Sequence, residues 1–461
     1  MLYNEIIMVI NPNIFKAYDI RGKFPKELDT EGAKKIGNAV AVFLSKKYKK
    51  QVLTLIVGAD VRTSSPVLKK ALIDGITLQG SSVIDVGTVT TPLFYFLLQE
   101  HQPDGGVMVT ASHNPPEYNG FKILDRKTEP VGNNSGLRLI QKLAGKKESA
   151  RGKKLGRISQ VSGGVDKYIS YLLKKVKLGS ARAVVDAAGG ATTLVLPKLL
   201  SYFPGILYKP LFFEPDGNFS RHSPNPLDPE SQEYAREDLK SGSFDFGVIF
   251  DGDGDRAVFL DEFGNEVRAD FILALLAEEL LKERPKSWVV LELTSSKAVE
   301  ERIIELGGKV VRSKVGYTNM TPLMMKKKAL LGGEISGHFF FRDFGYHESS
   351  MYAFLKMLEI VSQTPRKLSH LVKPLQKYVN GPQTNFEVEN KPAVMRAIEK
   401  RYAKEGKISK LDGISVEFPD WWFNVRPSNT EPLIRLTMEA RTQELFEAKQ
   451  RELSEFIRGV S

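Results

Sequence analysis

Six short apolar runs rich in Val and Ile recur along the chain, with helical patterns between them. This alternation constrains the fold more than any other feature of the sequence. The runs are VLTLIVGAD from Val52, GVMVTAS from Gly106, ARAVVDAAGG from Ala181, FGVIFDGD from Phe246, WVVLELTSS from Trp288 and KVVRSKVG from Lys309. Continuous apolar runs of this length read as strands buried on both faces, as in parallel sheets. The segments 31–48, 65–80, 164–176, 269–283 and 295–308 read as helices. Strand–helix alternation predicts α/β units with right-handed crossovers. From about Tyr378 the pattern changes to a helix, the alternating strands ISVEF, WWFNV and LIRLTMEA, and a last helix, which predicts α+β. The Lys-, Gly- and Ser-rich stretch Gly145–Gly164 reads as a linker, and the turn DEFGNE at Asp261 as a hairpin that opens a third unit. A chain of 461 residues suits about three or four domains.

Composition removes several classes of chemistry. There is no cysteine, so disulfides, zinc fingers, iron–sulfur clusters and a Cys nucleophile are excluded. Any metal must be held by oxygen or by a few of the six histidines, which favours Mg²⁺, Ca²⁺ or Mn²⁺. The longest apolar stretch, Phe271–Leu281, carries two glutamates and is too short to cross a membrane. The start MLYNEIIMVI has neither a basic n-region nor an A-x-A site, so a cytoplasmic location is expected. The net charge is +11, from 66 Lys+Arg against 55 Asp+Glu. The lysines fall in short scattered groups without interleaved aromatics, and no helix-turn-helix is present. A small anionic substrate in a positive cleft is therefore favoured over nucleic acid.

Four loops carry the candidate chemistry. In VMVTASHNPPEYNGFKIL a strand ends at Thr110, and Ser112, His113 and Asn114 follow at the carboxyl end, where open α/β sheets bind ligands. Pro115-Pro116 and Asn119-Gly120 turn the chain, and Lys122 returns toward the serine. In FGVIFDGDGDRAVF, Asp251, Asp253 and Asp255 alternate after an apolar strand, and in an extended chain they point to one side. That is a hard-cation site suited to Mg²⁺, with Arg256 beside it to hold a phosphoryl oxygen. An EF-hand is excluded, because its sixth position would be Arg256 where Gly is required. In LGGEISGHFFF, Glu334, Ser336 and His338 alternate, a mixture of donors and acceptors that suits sugar hydroxyls. In WWFNVRPSNTEPLIRLTMEA, Arg426, Ser428, Asn429 and Thr430 form a phosphate-sized cradle between two strands. Read alone, each loop also fits an ordinary turn. G-x-G-x-x-G after a strand, G-x-S-x-G and H-E-x-x-H are absent from the sequence.

A hydroxyl acceptor, three carboxylates and a distant phosphate clamp are the inventory of phosphoryl transfer on a substrate that already carries a phosphate. Through TASHNPP, DGDGDR, GEISGH and RPSNTEP the sequence resembles the α-D-phosphohexomutases, in particular the phosphomannomutase/phosphoglucomutase group. The resemblance runs from FKAYDIRG at Phe15 to LIRLTMEA. It implies an α/β fold of three related mixed α/β domains plus a smaller C-terminal α+β domain around a central cleft. The expected boundaries are 1–157, 158–262, 263–377 and 378–461. Ser112 would be the phosphoserine, and Asp251, Asp253 and Asp255 would bind Mg²⁺ together with a Ser112 phosphoryl oxygen. His113 and Lys122 would be the basic pair, with Lys122 a general base whose pKa nearby positive charge lowers. Arg256 would touch the transferring phosphoryl, and Arg21 and Tyr18 would line the same cleft. Lys297, Glu334, Ser336 and His338 would face the sugar, and Arg426, Ser428, Asn429 and Thr430 would hold the other phosphate. Tyr317 stands where the group commonly has His, and His347-Glu348-Ser349 where the family commonly has an Asp-Gly pair. The implied partner is a small phosphosugar, without nucleic acid or membrane, and a hexose 1,6-bisphosphate is the implied activator. Monomer and homo-oligomer are both compatible. The alternatives are a phosphoglucosamine mutase or a metal-dependent sugar phosphatase.

Overall fold

The computed structural model describes residues 10–146, 150–427 and 433–460. The chain forms two compact units. The first runs to Val267 and includes Ser336–Leu368; the second comprises Arg268–Ile335 and the chain from Ser369 onward.

Among the described residues, the first unit contains a six-stranded and a five-stranded sheet. The six-stranded sheet is ordered Ile20–Lys23, Tyr118–Asp125, Gly105–Val109, Thr54–Ala59, Ser82–Thr88, Ile158–Gln160. Thr54–Ala59 pairs in parallel with Gly105–Val109, as the apolar runs predicted, and also with Ser82–Thr88, which no run marked. Tyr118–Asp125 is a strand antiparallel to Gly105–Val109. Ile158–Gln160 pairs with Ser82–Thr88, so the expected linker contains a strand of the first sheet, and that sheet extends past residue 157. Helices Thr30–Tyr48 and Ser65–Leu78 pack backbone to backbone. A Cβ on Gly75 would lie 1.9 Å from the Lys34 carbonyl oxygen, and one on Gly37 would lie 2.1 Å from that of Leu72. Only glycine permits so close an approach.

The five-stranded sheet is ordered Glu266–Val267, Ala257–Leu260, Phe246–Phe250, Ala181–Asp186, Ile206–Leu211. The DEFGNE hairpin therefore closes this second sheet and does not open a third unit, because Glu266–Val267 pairs with Ala257–Leu260. Helix Ser350–Ser362 is almost wholly buried, and its Phe354 packs edge-on against Phe250 and Phe246.

In the second unit, Trp288–Glu292 pairs in parallel with Lys309–Ser313 and Leu331–Gly333. Helices Ala269–Glu283, Lys297–Glu305 and Tyr317–Lys327 accompany these strands. The C-terminal part is an antiparallel sheet of Val379–Asn380, Thr384–Glu387, Lys407–Ser409, Ile414–Glu417, Trp421–Pro427 and Leu433–Ala440, with helices Lys391–Tyr402 and Gln443–Val460. Its core stacks Phe418 on Trp421 at 4.2 Å between ring centres. This is the predicted shift from α/β to α+β. Among the described residues, no helix is long and apolar enough to cross a membrane.

Candidate active site

The buried strand Gly105–Val109 delivers Ser112 to its carboxyl end. Ser112 is 1% exposed and holds a left-handed backbone, φ +52°. Its N–H donates to Thr110 Oγ1 at 2.8 Å. Its Oγ donates to Asp251 Oδ2 at 2.9 Å and lies 3.2 Å from His113 Nδ1. Burial, with the charges of Arg256 and Arg21, holds the His113 imidazole well below its usual pKa, so it is neutral. Arg21 binds Asp19 at 2.9 Å and donates to the Ala111 carbonyl at 3.2 Å and to the Asn114 side chain. Tyr18 is half-buried just before this pair.

Phe246–Phe250 is buried throughout and feeds the acidic loop. Asp251, Asp253 and Asp255 are each 1% exposed or less. They converge by a tight turn, not by extended alternation, and the turn requires Gly254 at φ +75°. Asp251 Oδ1 collects the N–H groups of Gly254, Asp255 and Arg256 at 2.9, 3.0 and 3.2 Å. Asp253 Oδ2 accepts from Thr91 at 2.6 Å, Thr110 at 3.1 Å and Lys122 at 3.0 Å. Lys122 also pairs with Asp255. Ser350, at the start of the buried helix, donates to the Gly254 carbonyl and anchors the turn from below.

The three carboxylates fit a hard cation. One ligand oxygen from each lies within 4.8 Å of the others, and Oδ1 of both Asp253 and Asp255 is buried without a hydrogen-bond partner. Burial and the neighbouring Asp255 and Asp253 charges push Asp251 well above the usual carboxylate pKa. Burial acts the same way on Asp255, but Lys122 and His338 outweigh it and hold that carboxyl low. Lys122 departs from the expectation of a depressed pKa. Burial lowers its proton affinity, but Asp253 and Asp255 prevail and raise it, so the ammonium is charged.

Arg256 Nε donates to His338 Nε2 at 3.2 Å, and His338 Nδ1 is 2.9 Å from Ser336 Oγ. His338 Nε2 lies 3.4 Å from Asp255 Oδ1. The metal loop and part of the sugar-type loop therefore meet within the first unit. Glu348 is 1% exposed, and burial and then Asp255 push its pKa up to about 7.

The other predicted residues lie in the second unit. Glu334 accepts from the Gly316 N–H at 2.5 Å, and Tyr317 is buried at the start of the next helix. Glu292 accepts from the Ile335 N–H at 3.0 Å, and burial and the Glu334 charge push its pKa up to about 7. Lys297 binds Glu417 at 2.8 Å, beside a cavity of about 280 Å³ lined by Arg312, Lys407 and Trp422. Arg426, on Trp421–Pro427, lies 3.8 Å from Asp412. Ser428, Asn429 and Thr430 lie outside the described residues.

The loop readings missed Arg62, Asp60, Thr91 and Glu292. A signal existed for the Asp60–Arg62 pair, since charge follows directly on the buried strand Thr54–Ala59, the same cue that marked Asp251. Thr91 offered none, because a helix-start threonine is ordinary.

Comparison with known proteins gives four adjoining matches. The phosphoglucomutase/phosphomannomutase models for alpha/beta/alpha domains I, II and III match residues 12–150, 166–264 and 268–378, and that for the C-terminal domain matches 384–455. A phosphomannomutase of Methanocaldococcus jannaschii is 36% identical over 447 residues, covering 96% of this chain and 97% of the relative. A phosphomannomutase of Escherichia coli K12 is 35% identical over 452 residues, 95% of this chain and 97% of the relative. The crystal structure of a phosphoglucomutase/phosphomannomutase family protein from Burkholderia thailandensis superposes with a TM-score of 0.89 at 30% identity, covering 98% of both chains.

Proposed function

The chain belongs to the phosphoglucomutase/phosphomannomutase family, and from that membership we propose that it interconverts hexose 1-phosphates and hexose 6-phosphates of mannose, glucose or both. It is an intramolecular phosphotransferase, working through a phosphoserine at Ser112 and a hexose 1,6-bisphosphate. The carrying observation is Ser112 Oγ, 2.9 Å from Asp251 in a cluster of three buried carboxylates.

In this reading the bond from Ser112 Oγ to phosphorus breaks as a sugar hydroxyl oxygen bonds to phosphorus, and the hydroxyl gives up its proton. The bisphosphate turns round, and its other phosphoryl returns to Ser112. Arg21 and Arg256 are cations placed against the transferring group. Glu334 and Ser336 hold sugar hydroxyls, with His338 beside them and Tyr18 and Tyr317 bordering the sugar. Lys297 faces the sugar, and Arg426, with Ser428, Asn429 and Thr430, holds the distal phosphate. Asp251, Asp253 and Asp255 would hold Mg²⁺, which supplies neutralisation of carboxylate and phosphoryl charge. Lys122 is the proposed proton acceptor, and it can serve only when Asp253 and Asp255 no longer hold it charged. A hexose 1,6-bisphosphate acts as activator by restoring the phosphoserine.

A coupled assay with mannose 1-phosphate or glucose 1-phosphate, Mg²⁺ and a trace of glucose 1,6-bisphosphate tests the reading. Isomer should form, and the intact mass should carry one phosphoryl group that Ser112→Ala lacks. Turnover by Ser112→Ala, or inorganic phosphate released faster than isomer, would overturn it.

A further inference from the structure

Beneath the serine loop lies a guanidinium that none of the four motif loops contains. Arg62 follows the strand Thr54–Ala59 and is 1% exposed. Its Nη2 donates to the carbonyl oxygens of Ser112 at 2.7 Å and Asn114 at 2.6 Å. Its Nη1 donates to those of Pro115 at 2.8 Å and Tyr118 at 3.1 Å. The four terminal N–H donors thus meet four carbonyls of one short segment. Nε faces Asp60 Oδ2 at 3.2 Å, and both side chains are fully buried. Asp60 is itself fixed by Ser65 Oγ at 2.5 Å and by the Arg62 N–H at 3.1 Å. The Phe219 ring covers the guanidinium at 5.0 Å.

A buried charge of this kind is costly unless every donor is matched. Pro115 and Pro116 have no N–H, so the segment cannot knit itself together through a regular run of backbone bonds. Ser112 also occupies a left-handed conformation, which is unfavourable for a residue with a Cβ and persists only where the surroundings enforce it. Fixing the Ser112 carbonyl fixes the whole planar Ser112–His113 peptide, and with it the direction of both side chains. A lysine would offer three donors around a point charge and could not reproduce the fork.

We propose that Arg62 is a positioning residue for phosphoryl transfer. By clamping the Ser112–Tyr118 loop through its carbonyls, it holds Ser112 Oγ within reach of Asp251 and beside His113. The inference rests on the mutase reading of Ser112. The terminal nitrogens of Arg62 are taken up by backbone, its Nε faces Asp60 as an ion pair, and the side chain is fully buried, so it cannot reach a sugar; its loss acts on the chemical step and leaves binding alone. A displacement of about 1 Å at a reacting atom costs on the order of 10²-fold in rate.

The test compares the full-length wild type with Arg62→Lys, using glucose 1-phosphate or mannose 1-phosphate, Mg²⁺ and glucose 1,6-bisphosphate. Arg62→Lys should lower kcat about 100-fold with KM within about threefold, and should move the ³¹P resonance of the phosphoserine. A kcat within about threefold of wild type, or a loss confined to KM, overturns the proposal. If circular dichroism shows Arg62→Lys unfolded, Asp60→Asn, which keeps the fork but removes its counter-ion, takes its place. It should lower kcat about tenfold at unchanged KM, and an unchanged kcat overturns the proposal. Wild type that forms no isomer from any sugar phosphate sinks the mutase reading instead, a result distinct from an active wild type matched by an equally active variant.

Discussion

Ser112 carries its oxygen on a backbone conformation that a serine does not choose for itself, and neighbouring groups hold it there. The serine and the three aspartates were legible because each follows an apolar strand with a dense polar sequence. Their partners were less so. Lys122 reads as a free base in the sequence, yet Asp253 and Asp255 keep it charged, and no spacing rule reveals which carboxylate a lysine will meet. His347 is a buried residue of a different kind. It stacks on Tyr95 at 4.3 Å between ring centres, and burial pushes its pKa down to about 3. In the unfolded chain the imidazole titrates near 6.5. Its folded pKa is lower, so the native state loses stability as pH falls through 6.5 toward 3 and is unaffected above that window. Between pH 7.5 and pH 5 the loss is about 2 kcal/mol. His347→Phe keeps the stacked ring and removes the titration. Urea midpoints at the two pH values should therefore differ less for the variant than for wild type, and equal differences would refute the assignment.

At the scale of elements, strands written as continuous apolar runs or as clear alternation announced themselves, and strands with neither pattern did not. Ser82–Thr88 interrupts its apolar residues with Ser, Asp and Gly, and Ile158–Gln160 is exposed along its length, so neither gives an apolar run. The hairpin at Asp261 was visible as a turn, but only the pairing of Glu266–Val267 with Ala257–Leu260 shows which sheet owns it. Helix contacts follow the same logic. Gly37 and Gly75 look like weak points in helical patterns, since Gly costs about 1 kcal/mol against Ala in a helix. The structure inverts that reading, because a Cβ at Gly75 would sit 1.9 Å from the Lys34 carbonyl oxygen. The obstacle is backbone, which cannot rotate away, so the gain in propensity is outweighed. Gly75→Ala should destabilise by about 1–3 kcal/mol, read as a lower denaturant midpoint with unchanged slope. A midpoint at or above wild type would show that the two helices separate at little cost.

Over the whole molecule, the chain passes between the two compact units at three places, after Val267, Ile335 and Leu368. The unit boundary does not coincide with the C-terminal change from α/β to α+β that the sequence displays. Contacts between distant residues decide it, and strand–helix alternation carries no record of them. The three aspartates all lie in the first unit, where Asp253 Oδ1 and Asp255 Oδ1 make no hydrogen bond and the carboxylates repel one another, a site that a divalent cation would relieve. A ligand that binds only the folded state stabilises it by RT ln(1 + [L]/Kd), about 2.7 kcal/mol at a hundredfold excess over Kd. Chains with two compact units commonly depart from a single two-state transition. Calorimetry should therefore resolve two transitions, and Mg²⁺ should raise the midpoint of one and leave the other in place. Asp253→Asn should abolish that shift while keeping both transitions. A shift of both transitions together, or a shift that survives Asp253→Asn, would place the cation elsewhere and remove Asp251, Asp253 and Asp255 from the role of metal ligands.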